Sequence, residues 1–270
     1  MNCELPNGFA ERYGPWALIS GGSEGTGAAF AQLLAEQGIN LLLVARRHGP
    51  LDALAAQLRA EHGIEVRSAS VDLTALDAYS SLAELTDDLD IGIAIFNAGA
   101  TTRFDFFTDW PADVIAAMVV MNCYTVALAA HHFAASMKSR GTGAIVLVGS
   151  MAGFAGSSHQ SIYNASKAFD WVLAEGLWQE LRSDGVDALV LVLGATNTES
   201  HQRMGVDFSD QTVMEPADVA AEGLANLDQG PVYIVGEHNQ AILDYILNSD
   251  RGAVVSAMSA ASAQIASSTS

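Results

Sequence analysis

Seven short apolar runs, at residues 16–20, 40–45, 65–72, 92–97, 144–148, 188–193 and 232–235, recur along this chain at intervals long enough to hold a helix. Runs of that length, set between helical patterns, read as strands buried on both faces. Between the second and third, Leu51, Leu54, Ala55 and Leu58 repeat at helical spacing just after Pro50, a residue that suits a first helical turn. The alternation predicts an α/β fold, a doubly wound parallel sheet covered by helices on both sides. With half of its 270 residues hydrophobic, the chain can bury one large core. A single domain is therefore expected over residues 1–252, followed by an Ala/Ser-rich tail at 253–270. Val254, Val255, Met258 and Ile265 would let that tail cap a neighbouring subunit; its composition fits a frayed end equally well.

Parallel sheets of this kind bind ligands beyond the carboxyl ends of their strands. Ser20-Gly21-Gly22-Ser23-Glu24-Gly25-Thr26-Gly27 follows the first run directly. Residues 28–37 come next, with Ala31, Leu34 and Ala35 on one face and Gly38 as a stop. Strand, glycine turn and helix form the setting of a dinucleotide loop. Glycines let the backbone approach a pyrophosphate, and the helix start offers it unpaired N–H groups. An ordinary glycine-rich turn has the same appearance in isolation.

Tyr163 and Lys167 stand four positions apart, on one helix face. An ammonium beside a phenol favours the phenolate, and such a pair can pass a proton to or from a carbonyl oxygen. Alone, a surface Tyr with a solvated Lys explains the pattern as well.

Taken together and in order, these residues resemble the short-chain dehydrogenase/reductase family over almost the whole chain. The glycine loop matches the family's TGxxxGxG pattern, with Ser20 in place of Thr. Phe96-Asn97-Ala98-Gly99 matches its NNAG strand end, with Phe96 for the first Asn. Asn122 falls at the helix asparagine, Ser150 at the catalytic serine, and Tyr163 with Lys167 form the YxxxK pair. Leu193-Gly194 replaces the usual Pro-Gly, which removes a fixed φ but no reacting group.

The resemblance implies a Rossmann fold and an oxidoreductase that moves a hydride between a nicotinamide cofactor and a ketone or secondary alcohol. It implies Tyr163 as general acid/base and Lys167 as the holder of the nicotinamide ribose. Ser150 would bond the substrate oxygen, and Asn122 would hold a water joining Lys167 to solvent. It places the cofactor against Gly21, Ser23, Gly25, Gly27, Asp72, Leu73, Asn97, Ala98, Gly99, Tyr163, Lys167, Gly194, Thr196 and Thr198. Asp72 would meet the adenine and Thr198 the nicotinamide.

The end of the second strand decides which cofactor is expected. NAD-binding folds commonly put an acidic residue there, whereas this chain has Ala45 followed by Arg46 and Arg47. A guanidinium suits a 2′-phosphate, so NADP(H) is favoured over NAD(H). Glu24, in the glycine loop, argues the other way if it faces the same pocket.

A net charge of −19 excludes the basic surface that nucleic acid or an anionic membrane requires. No unbroken apolar run reaches membrane-spanning length, and residues 1–15 do not resemble a signal peptide. Cys3 and Cys123 offer no disulfide framework, so a cytoplasmic protein is expected, with Cys123 a small buried hydrophobe. No His, Cys and carboxylate spacing suggests a metal site, and His159 and His201 read as loop surface.

Thr101, Thr102, Phe104, residues 151–158 and a lid at 199–214 are the expected pocket walls. Met204, Phe208, Val213 and Met214 on that lid suggest an apolar ketone or alcohol of steroid, fatty, terpenoid or aryl type, with Arg203 the one candidate for an anion. Apolar helices at 114–120 and 168–181, with the family resemblance, predict a homodimer or homotetramer. A non-catalytic NADP(H)-binding regulator and an isomerase or lyase using the same site are the alternative functions.

Overall fold

The computed structural model describes residues 5–268 apart from Thr102, Asp207, Ser209 and Asp210. Cys3 and Thr102 therefore lie outside the described residues. Seven parallel strands form one sheet: β1 Trp16–Ser20, β2 Asn40–Ala45, β3 Val66–Ser70, β4 Ile91–Phe96, β5 Gly143–Ser150, β6 Val186–Leu193 and β7 Val232–Ile234. Their spatial order is β3-β2-β1-β4-β5-β6-β7. The seven strands and the fold class match the expectation, and the fold is a single-domain Rossmann fold.

Because a strand presents alternate residues to opposite faces, each central strand feeds two cores. Leu18, Leu42, Ala94, Phe96, Ile145, Leu147 and Val190 face one side. There they meet α4 (Ala78–Thr86), α6 (Thr125–Arg140) and α7 (Ser161–Leu181). Ala17, Ile19, Leu43, Ile95, Val146 and Leu191 face the other side. That side is covered by α1 (Phe9–Tyr13), α2 (Gly25–Glu36), α3 (His48–His62) and α9 (Pro216–Ala225). This double burial is why the strands read as continuous apolar runs rather than alternating ones.

The sheet ends on one side in β3, which pairs with β2, and on the other in the short β7. Arg67 of β3 bridges to Asp88 with paired bonds of 2.8 and 2.9 Å and lies over the Trp16 ring.

The remaining helices shape the carboxyl end and its rim: α5 (Ala112–Val119), α8 (Glu199–Arg203), α10 (Glu237–Asn248) and α11 (Arg251–Ser268). A five-residue π-turn, Val120–Tyr124, joins α5 to α6. By length and composition the continuous stretch Ala112–Arg140 could cross a membrane, which the short apolar runs did not suggest. Its second half, α6, packs against the sheet, with Val126, Ala129, Phe133 and Met137 in the core.

Residues 253–268 of the Ala/Ser-rich segment belong to α11. Val254 is buried, the Ser262 hydroxyl donates 2.9 Å to Ser157 Oγ, and Ser259 Oγ accepts from the Ser158 N–H. Small side chains let this helix lie close to the 157–158 loop, which explains a composition that resembles disorder.

Candidate active site

The chain turns back on itself between β1 and β4, the strands on either side of the switch in connection direction. Ligands bind at such a point, outside the carboxyl ends. Gly21 follows β1 there at φ +72, a left-handed conformation that favours glycine. Asn97 crosses the crevice and donates 3.0 Å to the Gly21 carbonyl, while the Ala98 N–H donates to Ser20 O. Helix α2 starts at Gly25, earlier than the expected residue 28, so Gly25, Thr26 and Gly27 form its first turn. Their N–H groups have no intrahelical carbonyl and point out of the helix end. Gly25 N–H donates 3.0 Å to the Glu199 carboxylate; an anion already suits this place. Ser23 is half-buried on the loop, and Thr198 sits within van der Waals range of where a Gly25 side chain would be.

At the carboxyl end of β5, α7 lays Tyr163 and Lys167 on one face. Lys167 is buried, and its Nζ donates 2.8 Å to the Val148 carbonyl and 3.0 Å to Asp170 Oδ2. Burial works against this ammonium, but attraction to Asp170, then to Tyr163, outweighs it and holds the pKa above the ordinary lysine value. Burial pushes the Asp170 carboxyl up, and Lys167 opposes that rise. Ser150 ends β5; its Oγ accepts from the Ala152 N–H at 3.1 Å, so the hydroxyl proton stays available. A phenol, a fixed ammonium and a hydroxyl around one strand end can deliver a proton to a carbonyl oxygen and hold the charge that develops.

Asn122 sits in the π-turn, fully buried. Its Nδ2 donates 2.9 Å to Ser166 Oγ, and its Oδ1 has no hydrogen-bond partner. A side chain on Gly99 would lie 2.9 Å from that oxygen and 3.1 Å from Lys167 Nζ, so glycine keeps both groups open to the same small space. A π-turn rotates one residue out of helical register, which is how a buried Asn comes to face the Lys from a separate helix.

The description short chain dehydrogenase fits a family profile that matches residues 15–207. The chain belongs to the short-chain dehydrogenase family. A 7β-hydroxysteroid dehydrogenase of Clostridium sardiniense is 31% identical over 239 residues, 86% of this dehydrogenase and 89% of that protein. A solved structure of a 7β-hydroxysteroid dehydrogenase superposes with a TM-score of 0.86 at 28% identity, covering 96% of this chain and 99% of the other. A short-chain dehydrogenase from Sphingobium yanoikuyae, solved with NADPH, is 36% identical, with a TM-score of 0.79 over 88% of this chain and 94% of its own.

The residues expected to meet a cofactor divide into two groups. Gly21, Gly25, Gly27, Asn97, Ala98 and Gly99 lie together beside the carboxyl ends of β1 and β4. Leu73 is buried, with its carbonyl accepting from Thr125 Oγ1. Asp72 spends its Oδ1 on the Thr74 N–H and hydroxyl, a local turn that holds the carboxyl below its usual range. Arg46 is exposed at the end of β2, close enough to Asp72 to lower its pKa further. Arg47 instead pairs with Glu24, which also takes both forks of Arg203. The Arg203 hydrogen bond is the main cause of the depressed Glu24 pKa, with Arg47 adding to it.

Several expectations for the lid need correction. Arg203 is not free for a substrate anion, because Glu24 holds it. Met214 is partly buried against the core near Gly236 and paired to Thr196 by an isolated bridge. His201 is not loop surface: its Nδ1 lies 3.0 Å from both Thr198 Oγ1 and Thr196 O, and burial lowers its pKa. Thr196 is buried with its hydroxyl on the Gly194 carbonyl, and Gly194 has no room for a side chain beside Asn239. Phe208 packs edge-on to His201. Cys123 is half-buried, and burial, then the Asp170 charge, push its thiol up to about 11, far from a reactive thiolate.

Sequence reasoning missed Phe106, whose ring lies 4.3 Å from that of His159. The contact joins the loop after β4 to the loop before α7, across the mouth of the site. His159 is the one described non-glycine residue at positive φ, and its Nδ1 is buried without a partner. The run Phe104-Asp105-Phe106-Phe107 was the available signal.

Proposed function

We propose that this short-chain dehydrogenase interconverts a bulky apolar ketone and its secondary alcohol, of hydroxysteroid size, using NADP(H). The observation that carries the reading is Lys167, buried and fixed on Val148 O beside Tyr163 and Ser150 at one strand end. The nicotinamide, when bound, supplies the hydride. Tyr163 gives the substrate oxygen its proton in reduction and takes it back in oxidation. Ser150 donates to that oxygen, and Lys167 uses its remaining N–H on a ribose hydroxyl. The unpartnered Asn122 Oδ1 accepts from a water that reconnects Lys167 to solvent. The first turn of α2 suits the pyrophosphate, which would take the place of the Glu199 carboxylate on the Gly25 N–H. Gly194, Thr196 and Thr198 close over the nicotinamide side, with Asp72 and Leu73 toward the adenine.

NADP(H) is favoured because Arg46 is exposed at the ribose end and the Glu24 charge is met by Arg47 and Arg203. Arg46→Ala is expected to weaken NADPH and leave NADH unchanged, and Ala45→Asp to move preference toward NADH. One charge-assisted contact is worth about 1.5–3 kcal/mol, roughly tenfold or more in the affinity ratio. The deciding measurement is kcat/KM with both cofactors on a panel of steroid, fatty and aryl ketones. Net NADPH oxidation with a bulky ketone supports the reading. Product without net oxidation indicates an isomerase; preference for NADH ends the NADP assignment.

We further infer a cytoplasmic homodimer or homotetramer. Between α6 and α7 runs an open groove lined by Ala130, Ala134, Phe169 and Leu173, with Val172 66% exposed beside it. A second copy would cover this apolar surface. Light scattering at micromolar concentration is expected to give a multiple of 28.3 kDa, and a monomer there overturns the inference.

A further inference from the structure

We propose that Asp170 is a positioning residue for the proton-transfer pair: its carboxylate anchors the Lys167 ammonium and keeps it charged. The proposal rests on the roles given above to Tyr163 and Lys167. Tyr163, Lys167 and Asp170 follow one another at i, i+4 and i+7 along α7, so one helix face carries phenol, ammonium and carboxylate in a row. Lys167 is 5% exposed and Asp170 3%. Both have left water almost completely, and a buried charge without a partner neutralises itself.

The Lys167 ammonium has three protons to place. One goes to Val148 O and one to Asp170 Oδ2, which leaves a single N–H for a cofactor hydroxyl. The main-chain carbonyl fixes a direction but supplies no net charge, whereas the carboxylate supplies both. Among the described residues Lys167 is the cation paired with Asp170. The titratable groups facing the ammonium are Asp170 and Tyr163 from α7 and Cys123 from the π-turn. Cys123, with its raised pKa, remains a neutral thiol and provides no counter-charge. Asp170 is thus the group that balances the cation before any cofactor arrives.

The sequence itself makes the test direct, since the chain contains only two lysines, Lys138 and Lys167. Protein labelled with ε-13C-lysine gives two ε-methylene signals, and Lys138→Arg assigns them. In the wild type, the Lys167 midpoint is expected above the ordinary lysine value. In Asp170→Asn its midpoint should fall by about one pH unit or more, because burial then acts unopposed. The alkaline limb of kcat/KM should move down by the same amount, and Asp170→Glu should restore both.

An unchanged Lys167 midpoint in Asp170→Asn overturns the proposal, and so does a wild-type midpoint well below the ordinary range. If the Asn variant does not fold, the wild-type titration and the Glu variant decide between these outcomes. A Glu variant that loses the charge of Lys167 while folded counts against the proposal. Failure of the functional reading has a different signature: both lysine signals behave as stated, and no carbonyl substrate is turned over with either cofactor.

Discussion

Tyr163→Phe is expected to lower kcat by roughly two to four orders of magnitude while the fold and cofactor affinity stay close to wild type. The substitution removes one hydroxyl and keeps the ring on a half-buried position of α7. The Tyr163 main-chain carbonyl still accepts from Ser166 Oγ, so the Ser166–Asn122 link survives. What disappears is the group that gives the substrate oxygen its proton. Steady-state turnover across the pH range, alongside cofactor binding by fluorescence, separates the two effects. Comparable turnover by the Phe variant at any pH would remove Tyr163 from the acid/base role.

Gly27→Ala should act on the other half of the site and abolish cofactor binding. A methyl group there would fall 2.1 Å from the Gly21 carbonyl oxygen and 2.7 Å from Asn97 Nδ2. Neither neighbour can yield, because Asn97 is already bonded to that same carbonyl across the crevice. Helix α2 would have to retreat and carry its first-turn N–H groups away from the phosphate position. The expected result is at least about a hundredfold loss in NADPH affinity, together with a lower melting temperature from overpacking. Gly49→Ala is the control, since a side chain there meets nothing within 4 Å. Calorimetric titration that finds NADPH bound as tightly by the Gly27 variant would exclude this loop as the phosphate site.

The strands were legible because both faces of the sheet are buried, which turns each into an unbroken apolar run; β1 and β2 kept their expected ends and the others moved by at most two residues. Gly21, Asn97, Asn122, Ser150, Tyr163 and Lys167 were legible through their order along the chain, and the fold brings these segments to the carboxyl ends of the strands and their rim. Contacts between distant segments were not legible. Glu24 and Arg203 are separated by 179 residues, and no local pattern announces that they bond. The π-turn was hidden for another reason: it is a choice of backbone hydrogen bonds, and Val120–Tyr124 has the same apolar character as an ordinary helix. Asp170 stood in plain view three residues beyond Lys167, yet an acidic residue at that spacing reads as a solvated pair until burial is known. The tail's composition left two readings open, since small residues suit both a frayed end and close helix contact.

The two ends of the sheet are finished differently from the helical surface. On the β3 side, Arg67 projects from the outer strand and is occupied by Asp88 and the Trp16 ring. On the other side, β7 offers three residues of backbone and no more. Charged and abbreviated borders give a foreign strand little to copy. The protein can therefore keep an apolar helical groove open without inviting edge-to-edge stacking into fibrils. In the proposed homo-oligomer, copies would meet through helix contacts rather than through sheet edges.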